Sequence, residues 1–154
     1  MSKKIQYLII HCTATQEGRP VTRKDIEEWH LQGRGWDRLG YSDMVHLDGK
    51  LENLTAYDDD DQVESHEITW GATGINSISR HIVYVGGVDM KLKPKDTRTE
   101  AQKLTLEKYV KDAIKRYPWI KVAGHNQFAS KACPSFDVRT WANSIGIPSK
   151  NIKP

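Results

Sequence analysis

The run of residues 5–11 limits the possible folds of this chain more than any other segment. It reads Ile-Gln-Tyr-Leu-Ile-Ile-His, and apolar side chains occupy both its odd and its even positions. Because successive side chains of a strand point to opposite faces, this strand would be apolar on both faces. Such strands lie inside a sheet that is covered on both sides. We therefore expect a central strand that ends at His11, at an edge where mixed sheets often bind ligands.

Two helices are predicted by their amino-terminal caps. Thr22 and Asp25 have the spacing of a capping pair, and the apolar residues that follow recur at helical intervals. Thr99 and Gln102 form a capping box that opens a longer helix. A third helix is expected over residues 137–145. Each would pack an apolar face against a sheet.

Runs with the pattern of strands alternate with these helices. They span residues 5–11, 41–47, 50–54, 81–85 and 120–123. This order predicts an α/β (α+β) fold in which a central mixed β-sheet is flanked by helices. A chain of 154 residues can bury one sizeable core, so we expect a single domain over residues 1–147. Residues 148–154 would form a loose C-terminal tail.

The composition argues against several classes of protein. The net charge is only +3, and Lys and Arg are spread along the chain, which is not typical of a dedicated nucleic-acid binder. No apolar stretch approaches the roughly 20 residues that a membrane span requires. The apolar run after Lys4 is too short for the core of a signal peptide. We expect a monomer that is synthesised in the cytoplasm and has no nucleic-acid or membrane partner.

A second informative stretch lies near the end of the chain, where His125, Lys131 and Cys133 follow one another closely. Zinc binds imidazole nitrogen and thiolate, and a catalytic zinc site uses three protein ligands and keeps one position open. Together with His11, this stretch supplies two imidazoles and one thiol. Zinc lowers the pKa of a water at the open position to about 7. Lys131 or Tyr41 could then stabilise the oxyanion that forms when a carbonyl is attacked.

Spacing alone leaves other interpretations open. His125 and Cys133 do not have the spacing of a zinc finger, so they could be an ordinary surface histidine and a buried thiol. They could also be the base and the nucleophile of a metal-free thiol hydrolase. A disulfide between Cys12 and Cys133 is not expected, because Cys12 follows His11 directly and points to the opposite face of the strand.

Motifs along the chain resemble, in the same order, those of the zinc-dependent N-acetylmuramoyl-L-alanine amidases. This family includes the amidase-type phage lysozymes and the peptidoglycan recognition proteins. The segments that carry the resemblance are His11-Cys-Thr-Ala-Thr15, Ile26-Glu-Glu-Trp-His30, Gly40-Tyr41 with Asp48-Gly49, Asn76-Ser-Ile-Ser79 with Val85-Gly-Gly87, Gly124-His125 and Lys131-Ala-Cys-Pro-Ser-Phe-Asp137. They cover about residues 5–145, and the last segment is the most specific.

The resemblance implies both a ligand set and a reaction. It implies His11, His125 and Cys133 as ligands of one zinc ion. It implies Tyr41 and Lys131 as catalytic polar groups near the scissile carbonyl. The reaction would be hydrolysis of the amide bond between N-acetylmuramic acid and L-alanine in peptidoglycan. Family members without the cysteine tend to bind rather than to cut, so the presence of Cys133 favours an enzyme.

Some positions depart from the family pattern. Ser42 and Asp43 follow the tyrosine where phage-type relatives often have a histidine and an aromatic residue. We expect Ser42, Trp70 and Asn76 to contact the substrate, Trp70 by stacking on a sugar, and the segment 57–70 to form a wall of the groove. The departures keep a second hypothesis open, in which a module of the same fold binds muropeptides without cutting them.

Other polar residues are expected to have structural roles. His30 lies on the buried stripe of the first helix, His46 faces away from Tyr41 on its strand, and His81 is a hydrogen-bonded core or edge residue. The run Asp58–Asp61 is expected to be a solvated loop, since it lacks the alternating spacing of a calcium site.

The expected partner is therefore peptidoglycan or a muropeptide. Since no signal peptide is expected, the resemblance favours a phage or prophage endolysin. Such a protein would reach the cell wall after holin-type release from the cytoplasm.

Overall fold

The computed structural model of the protein describes residues 2–154. The strands within them are β1 (Lys3–Lys4), β2 (Tyr7–Cys12), β3 (Thr15–Gln16), β4 (Asp43–Val45), β5 (Leu51–Asn53), β6 (Gln62–Val63), β7 (Ser79–Tyr84), β8 (Gly87–Val88) and β9 (Lys121–Gly124). The α-helices are α1 (Arg23–Glu27), α2 (Glu100–Arg116) and α3 (Val138–Ser144). Shorter turns of helix span Glu28–Gly33, Ser65–Glu67, Asn76–Ile78, His125–Gln127 and Ser149–Asn151.

The main sheet has five strands in the order β5-β4-β7-β2-β9. Strands β4 and β5 are antiparallel, whereas β4, β7, β2 and β9 run parallel to one another. Strand β2 lies between β7 and β9, so the prediction of a central strand with two apolar faces is confirmed. The mixed sheet flanked by helices is also confirmed.

Each face of the sheet has its own apolar cluster. Helices α2 and α3 cover the face that carries Leu8 and Ile10 of β2, and Leu106 of α2 is among the buried residues there. Helix α1 packs on the other face through Ile26, next to Val83 of β7. Because side chains alternate along a strand, His11 lies on the same face of β2 as Ile9 and on the opposite face from Ile10.

The predicted caps begin both helices. The Thr22 hydroxyl accepts from the Asp25 amide at 3.2 Å, and the Thr99 hydroxyl accepts from the Gln102 amide at 3.0 Å. Gln102 also ties α2 to the sheet, because its side-chain amide donates to the Val85 carbonyl at 3.0 Å. After α1 the chain continues in wider helical turns, which end at Gly33.

A hairpin around Asp48 and Gly49, between the predicted strands 41–47 and 50–54, joins β4 to β5. Gly49 adopts a φ of +87°, and a side chain there would meet the Ala101 carbonyl at 2.9 Å, so the turn requires glycine. Strand β4 is shorter than the predicted strand 41–47. Its first paired residue is Asp43, and Tyr41 and Ser42 lie before it.

The C-terminal segment 148–154 is packed against the sheet, so the prediction of a loose tail is wrong. The Asn151 side chain is fully buried and donates to the carbonyls of Pro118 at 2.8 Å and Ile120 at 2.9 Å. The Lys153 amide donates to the Val122 carbonyl at 3.0 Å. The segment therefore covers part of the outer edge of β9, which would otherwise expose unpaired backbone groups. Among residues 2–154, no helix has the length and apolar character needed to cross a membrane.

Candidate metal centre

Three side chains that bind metals meet at the carboxyl ends of β2 and β9. His11 belongs to the end of β2, His125 follows β9 directly, and Cys133 lies in the loop that leads to α3. One ligand atom from each residue lies within 4.8 Å of the other two. The parallel pairing of β2 and β9 produces this meeting, since it brings the two carboxyl ends to the same edge.

The spacing of these atoms fits a tetrahedral metal ion. Cys133 Sγ lies 3.7 Å from His11 Nδ1. Zinc-to-nitrogen and zinc-to-sulfur bonds of about 2.1 and about 2.3 Å at a tetrahedral angle would place the two atoms about 3.6 Å apart. The rings of His11 and His125 have centroids 4.7 Å apart. Two imidazoles and a thiol are also the donor types that zinc prefers.

The protonation states of the histidines suit metal binding. Burial lowers the pKa of His11 well below its ordinary value, and the neighbouring His81, His125 and Lys131 lower it further. Burial and then the charge of Lys131 lower the pKa of His125. Both rings are therefore neutral at pH 7 and keep a nitrogen lone pair for a ligand bond.

The surroundings of Cys133 disfavour its thiolate form unless a cation lies nearby. The adjacent Cys12 thiol and burial raise the pKa of Cys133. The Cys12 backbone amide donates to Cys133 Sγ at 3.3 Å, which favours the thiolate. A bound metal ion would supply the missing positive charge. Cys12 and Cys133 are both free thiols, but their side chains are neighbours, so the direction of Cys12 on its strand does not keep the two sulfurs apart.

Tyr41 and Lys131, the two predicted catalytic groups, lie beside the three ligands. The Tyr41 ring centroid is 5.2 Å from that of His11. Burial raises the pKa of Tyr41 above its ordinary value, so its hydroxyl stays protonated and can donate. Lys131 is exposed and precedes Cys133 by two positions in the chain, and its charge lowers the pKa of both His11 and His125.

A row of aromatic rings runs from Tyr41, beside the candidate ligands, to Trp70. Neighbouring ring centroids along it are 5.2 Å apart for Tyr41 and His30, 4.9 Å for His30 and Trp36, and 5.9 Å for Trp36 and Trp70. Both tryptophans are half-buried. Trp70, the predicted sugar-stacking residue, lies at the end of this row farthest from Tyr41.

Ser42 does not line the cleft. It is 2% exposed, and its carbonyl accepts from the amides of Leu54 and Thr55 at the base of the hairpin. Asp43 is buried too, and its carboxylate accepts from the hydroxyls of Tyr57 and Tyr109. The expectation that Ser42 contacts the substrate is therefore wrong, because packing of the hairpin encloses this position.

The first residues of the segment 57–70 lie on the face of the sheet that α2 covers, away from the candidate ligands. Tyr57 and Asp59 lie on the face of α2, where they line a cavity of about 450 Å³. Residues Asp58–Asp61 form a loop, as predicted. The buried Glu67 carboxylate accepts from the amides of Asp58 at 2.8 Å and Glu64 at 2.9 Å, so this acidic group stabilises the loop backbone.

His30 and His46 have the structural roles that were predicted. His30 is buried and its Nδ1 accepts from the Gly40 amide at 2.9 Å. His46 lies on the hairpin away from the metal centre and is bonded to Glu52 at 2.9 Å.

His81 has a contact that the sequence did not reveal. It is buried and hydrogen-bonded, as predicted, but its partner is the candidate ligand His11, with His81 Nδ1 2.8 Å from His11 Nε2. Its other nitrogen lies 2.9 Å from Asn76 Oδ1. Asn76 therefore faces His81 and does not face the cleft, in contrast to the predicted substrate contact. The register that pairs His81 with Ile9 would have revealed this placement, because Ile9 and His11 share a face.

Comparisons with known proteins agree with this geometry. The model of the N-acetylmuramoyl-L-alanine amidase family matches residues 1–136. The endolysin of Klebsiella phage KP32 is 34% identical over 134 residues, which is 87% of this chain and 83% of that protein.

Solved structures share the fold. The Ph2119 endolysin of a Thermus scotoductus bacteriophage superposes with a TM-score of 0.71 and 21% identity, over 99% of this chain and 88% of that one. A second match is a chain from the complex of tracheal cytotoxin with peptidoglycan recognition proteins LCa and LCx. It superposes with a TM-score of 0.65 and 22% identity, over 97% of this chain and 89% of that one. With the family match over most of its length, the chain belongs to the N-acetylmuramoyl-L-alanine amidases.

Proposed function

We propose that this amidase uses a zinc ion held by His11, His125 and Cys133 to cut the bond between N-acetylmuramic acid and L-alanine in peptidoglycan. The observation that carries the proposal is the approach of these three ligand atoms to within 4.8 Å of one another. Tyr41 and Lys131, which lie beside them, complete the set of groups that amide hydrolysis needs.

The residues of the chain divide the chemistry between them. A zinc ion bound by these three residues would supply a water whose pKa is lowered to about 7. Addition of water to the amide carbonyl places negative charge on the carbonyl oxygen. The protonated Tyr41 hydroxyl donates a hydrogen bond to that oxygen, and the Lys131 ammonium stabilises the charge from the open side of the cleft. The His30 ring packs against the Tyr41 ring, with 5.2 Å between the ring centroids.

Relatives support peptidoglycan as the substrate. Phage endolysins are among the curated proteins that this chain matches at 34% identity, and endolysins act on the cell wall. A chain of similar fold occurs in a complex with tracheal cytotoxin. We propose that a sugar of the substrate stacks on Trp70 at the end of the aromatic row farthest from Tyr41, and that the protein acts on the wall as a monomer. Release by a holin-type pore stays a prediction.

The positions of Ser42 and Asp43 do not support the alternative hypothesis, in which the protein binds muropeptides without cutting them. That hypothesis depended on the unusual residues Ser42 and Asp43 next to the tyrosine. Both are buried, and the Asp43 carboxylate is fully engaged by Asn53, Tyr57 and Tyr109. Their identity follows from the packing of the hairpin and has no bearing on the cleft.

A wall-digestion assay tests the proposed function. Purified cell walls are incubated with the protein, and newly exposed alanine amino termini are counted. We expect activity in the wild type and in His46→Ala, which changes a histidine outside the site. We expect none in His125→Ala or after complete chelation. Full activity of the chelated protein would instead favour a thiol hydrolase built on Cys133. Tight muropeptide binding without new termini would favour the binding module.

A further inference from the structure

A line of hydrogen bonds runs from the candidate ligand His11 into the protein interior. His11 Nε2 lies 2.8 Å from His81 Nδ1, and His81 Nε2 lies 2.9 Å from Asn76 Oδ1. The same oxygen accepts from the Ala72 backbone amide at 2.8 Å. His11 and His81 are both about 1% exposed or less, so the bond between the two rings is shielded from water.

The Ala72 amide fixes the position of every proton along the line. A backbone N–H can only donate, so the atom of Asn76 that faces it is the oxygen. That oxygen can only accept, so His81 Nε2 carries a proton. A second proton on His81 would bury a cation next to a metal centre without a carboxylate partner among residues 2–154, which is costly. His81 Nδ1 therefore accepts, and His11 Nε2 donates to it.

We propose that His81 and Asn76 are positioning residues that hold His11 in the tautomer with its proton on Nε2 and its lone pair on Nδ1. His11 Nδ1 is the atom that faces Cys133 Sγ at 3.7 Å. The inference rests on the proposed metal centre, since it concerns how one ligand is presented to the metal. Ligand histidines are commonly oriented through their second ring nitrogen in this way.

The loop that holds Asn76 is shaped around the His81 ring. A side chain at Gly71 would meet His81 Nδ1 at 2.5 Å and the Gly40 carbonyl at 2.9 Å, so only glycine fits against the ring. His81 is not itself a fourth ligand, because both of its nitrogens are engaged and neither belongs to the group of three that converge. The absence of a side chain at Gly71 therefore leaves the room that the His81 ring occupies.

Substitutions that remove one bond at a time test the proposal. His81→Phe keeps a ring and removes the acceptor, and Asn76→Leu removes the last acceptor of the line. Each is expected to weaken zinc binding about 10- to 100-fold, the range found when such supporting groups are lost. Asn76→Asp keeps an acceptor and is expected to bind zinc as the wild type does. His46→Phe is the matched control for loss of a histidine outside the site.

Two measurements separate positioning from a general loss of structure. Zinc affinity is measured by competition with a chromogenic chelator, on variants whose circular dichroism and melting show that they are folded. In the metal-free protein, long-range ¹H–¹⁵N correlation spectra report which nitrogen of His11 is protonated. We expect the Nε2–H form in the wild type and in Asn76→Asp, and a mixture of both tautomers in Asn76→Leu and His81→Phe.

The outcomes distinguish this inference from the proposed function. Unchanged zinc affinity and an unchanged His11 tautomer in folded Asn76→Leu would overturn the role of the line and leave the metal centre intact. Absence of zinc binding by the wild type would overturn the metal centre, while the tautomer spectra would still show whether Asn76 and His81 orient His11.

Discussion

At the scale of single residues, burial decides which groups can donate and which can accept. Tyr41 stays protonated in its buried position, whereas His11 and His125 stay neutral. The sequence was enough to identify these three residues as candidates for the site, because each lies in a specific motif. It did not reveal the contact of His81 with His11, because nothing in a single sequence states which two strands are neighbours.

Tyr41→Phe tests the role of the hydroxyl. Loss of one donor to a developing oxyanion is expected to lower kcat about 10²- to 10³-fold. Zinc affinity should not change, because the hydroxyl is not a ligand. Tyr7→Phe is a suitable control, since its ring packs on Phe128 with centroids 5.3 Å apart and takes no part in the centre. Equal activity of the two variants would exclude Tyr41 from the chemistry.

Protonation of His30 is expected to make the free energy of unfolding depend on pH. Burial, and then the charge of Arg34, lowers the pKa of His30 from 6.5 to about 4. Since the folded state binds this proton less readily than the unfolded state, the stabilisation is present above pH 6.5 and is lost as the pH falls towards 4. Protonation also removes the acceptor for the Gly40 amide.

The variant His30→Asn tests this pH dependence. Its side chain does not titrate, and its Oδ1 can still accept a hydrogen bond from the Gly40 amide. The free energy of unfolding of the metal-free protein, measured in urea between pH 7 and pH 4, should fall less steeply in this variant. Parallel pH profiles for the two proteins would show that His30 does not contribute to the dependence.

At the scale of the elements, the sequence predicts best where the determinants are local. The capping boxes at Thr22 and Thr99, and the turn at Asp48–Gly49, depend on residues a few positions apart. The C-terminal segment was mispredicted, because the groups that hold Asn151 are the carbonyls of Pro118 and Ile120, about thirty positions earlier in the chain. Segment 148–154 has no periodic pattern that would indicate this contact.

Asn151→Ala tests how much this contact stabilises the edge of the sheet. The substitution leaves the carbonyls of Pro118 and Ile120 without their donor, which is expected to cost about 1–3 kcal/mol because the Ile120 bond is buried. Denaturant unfolding measures the loss, and Lys150→Ala, at an exposed position next to it, is the control. If the two variants unfold alike, the segment does not stabilise β9.

At the scale of the whole molecule, the order of the strands creates the metal centre. His11 lies on β2 and His125 directly follows β9, and these two strands are far apart in the chain but neighbours in the sheet. The sequence predicts the strands and the class of sheet. Their order depends on the sum of many contacts on both faces, which a single sequence does not display.

Because the ligands come from distant segments, zinc should stabilise the entire fold. A ligand at 100 times its dissociation constant adds about 2.7 kcal/mol to the free energy of unfolding. Calorimetry should therefore show a higher Tm with zinc for the wild type and no change for Cys133→Ser. An equal rise in the variant would mean that the ion binds elsewhere.

The aromatic row gives the cleft an optical signal of its own. Trp36 and Trp70 meet edge to face and are both half-buried. Indole emission depends on the polarity around the ring, so a sugar that displaces water from Trp70 would change the fluorescence of this pair. Occupancy of the groove could then be followed without any label, and Trp70→Phe would identify the ring that responds.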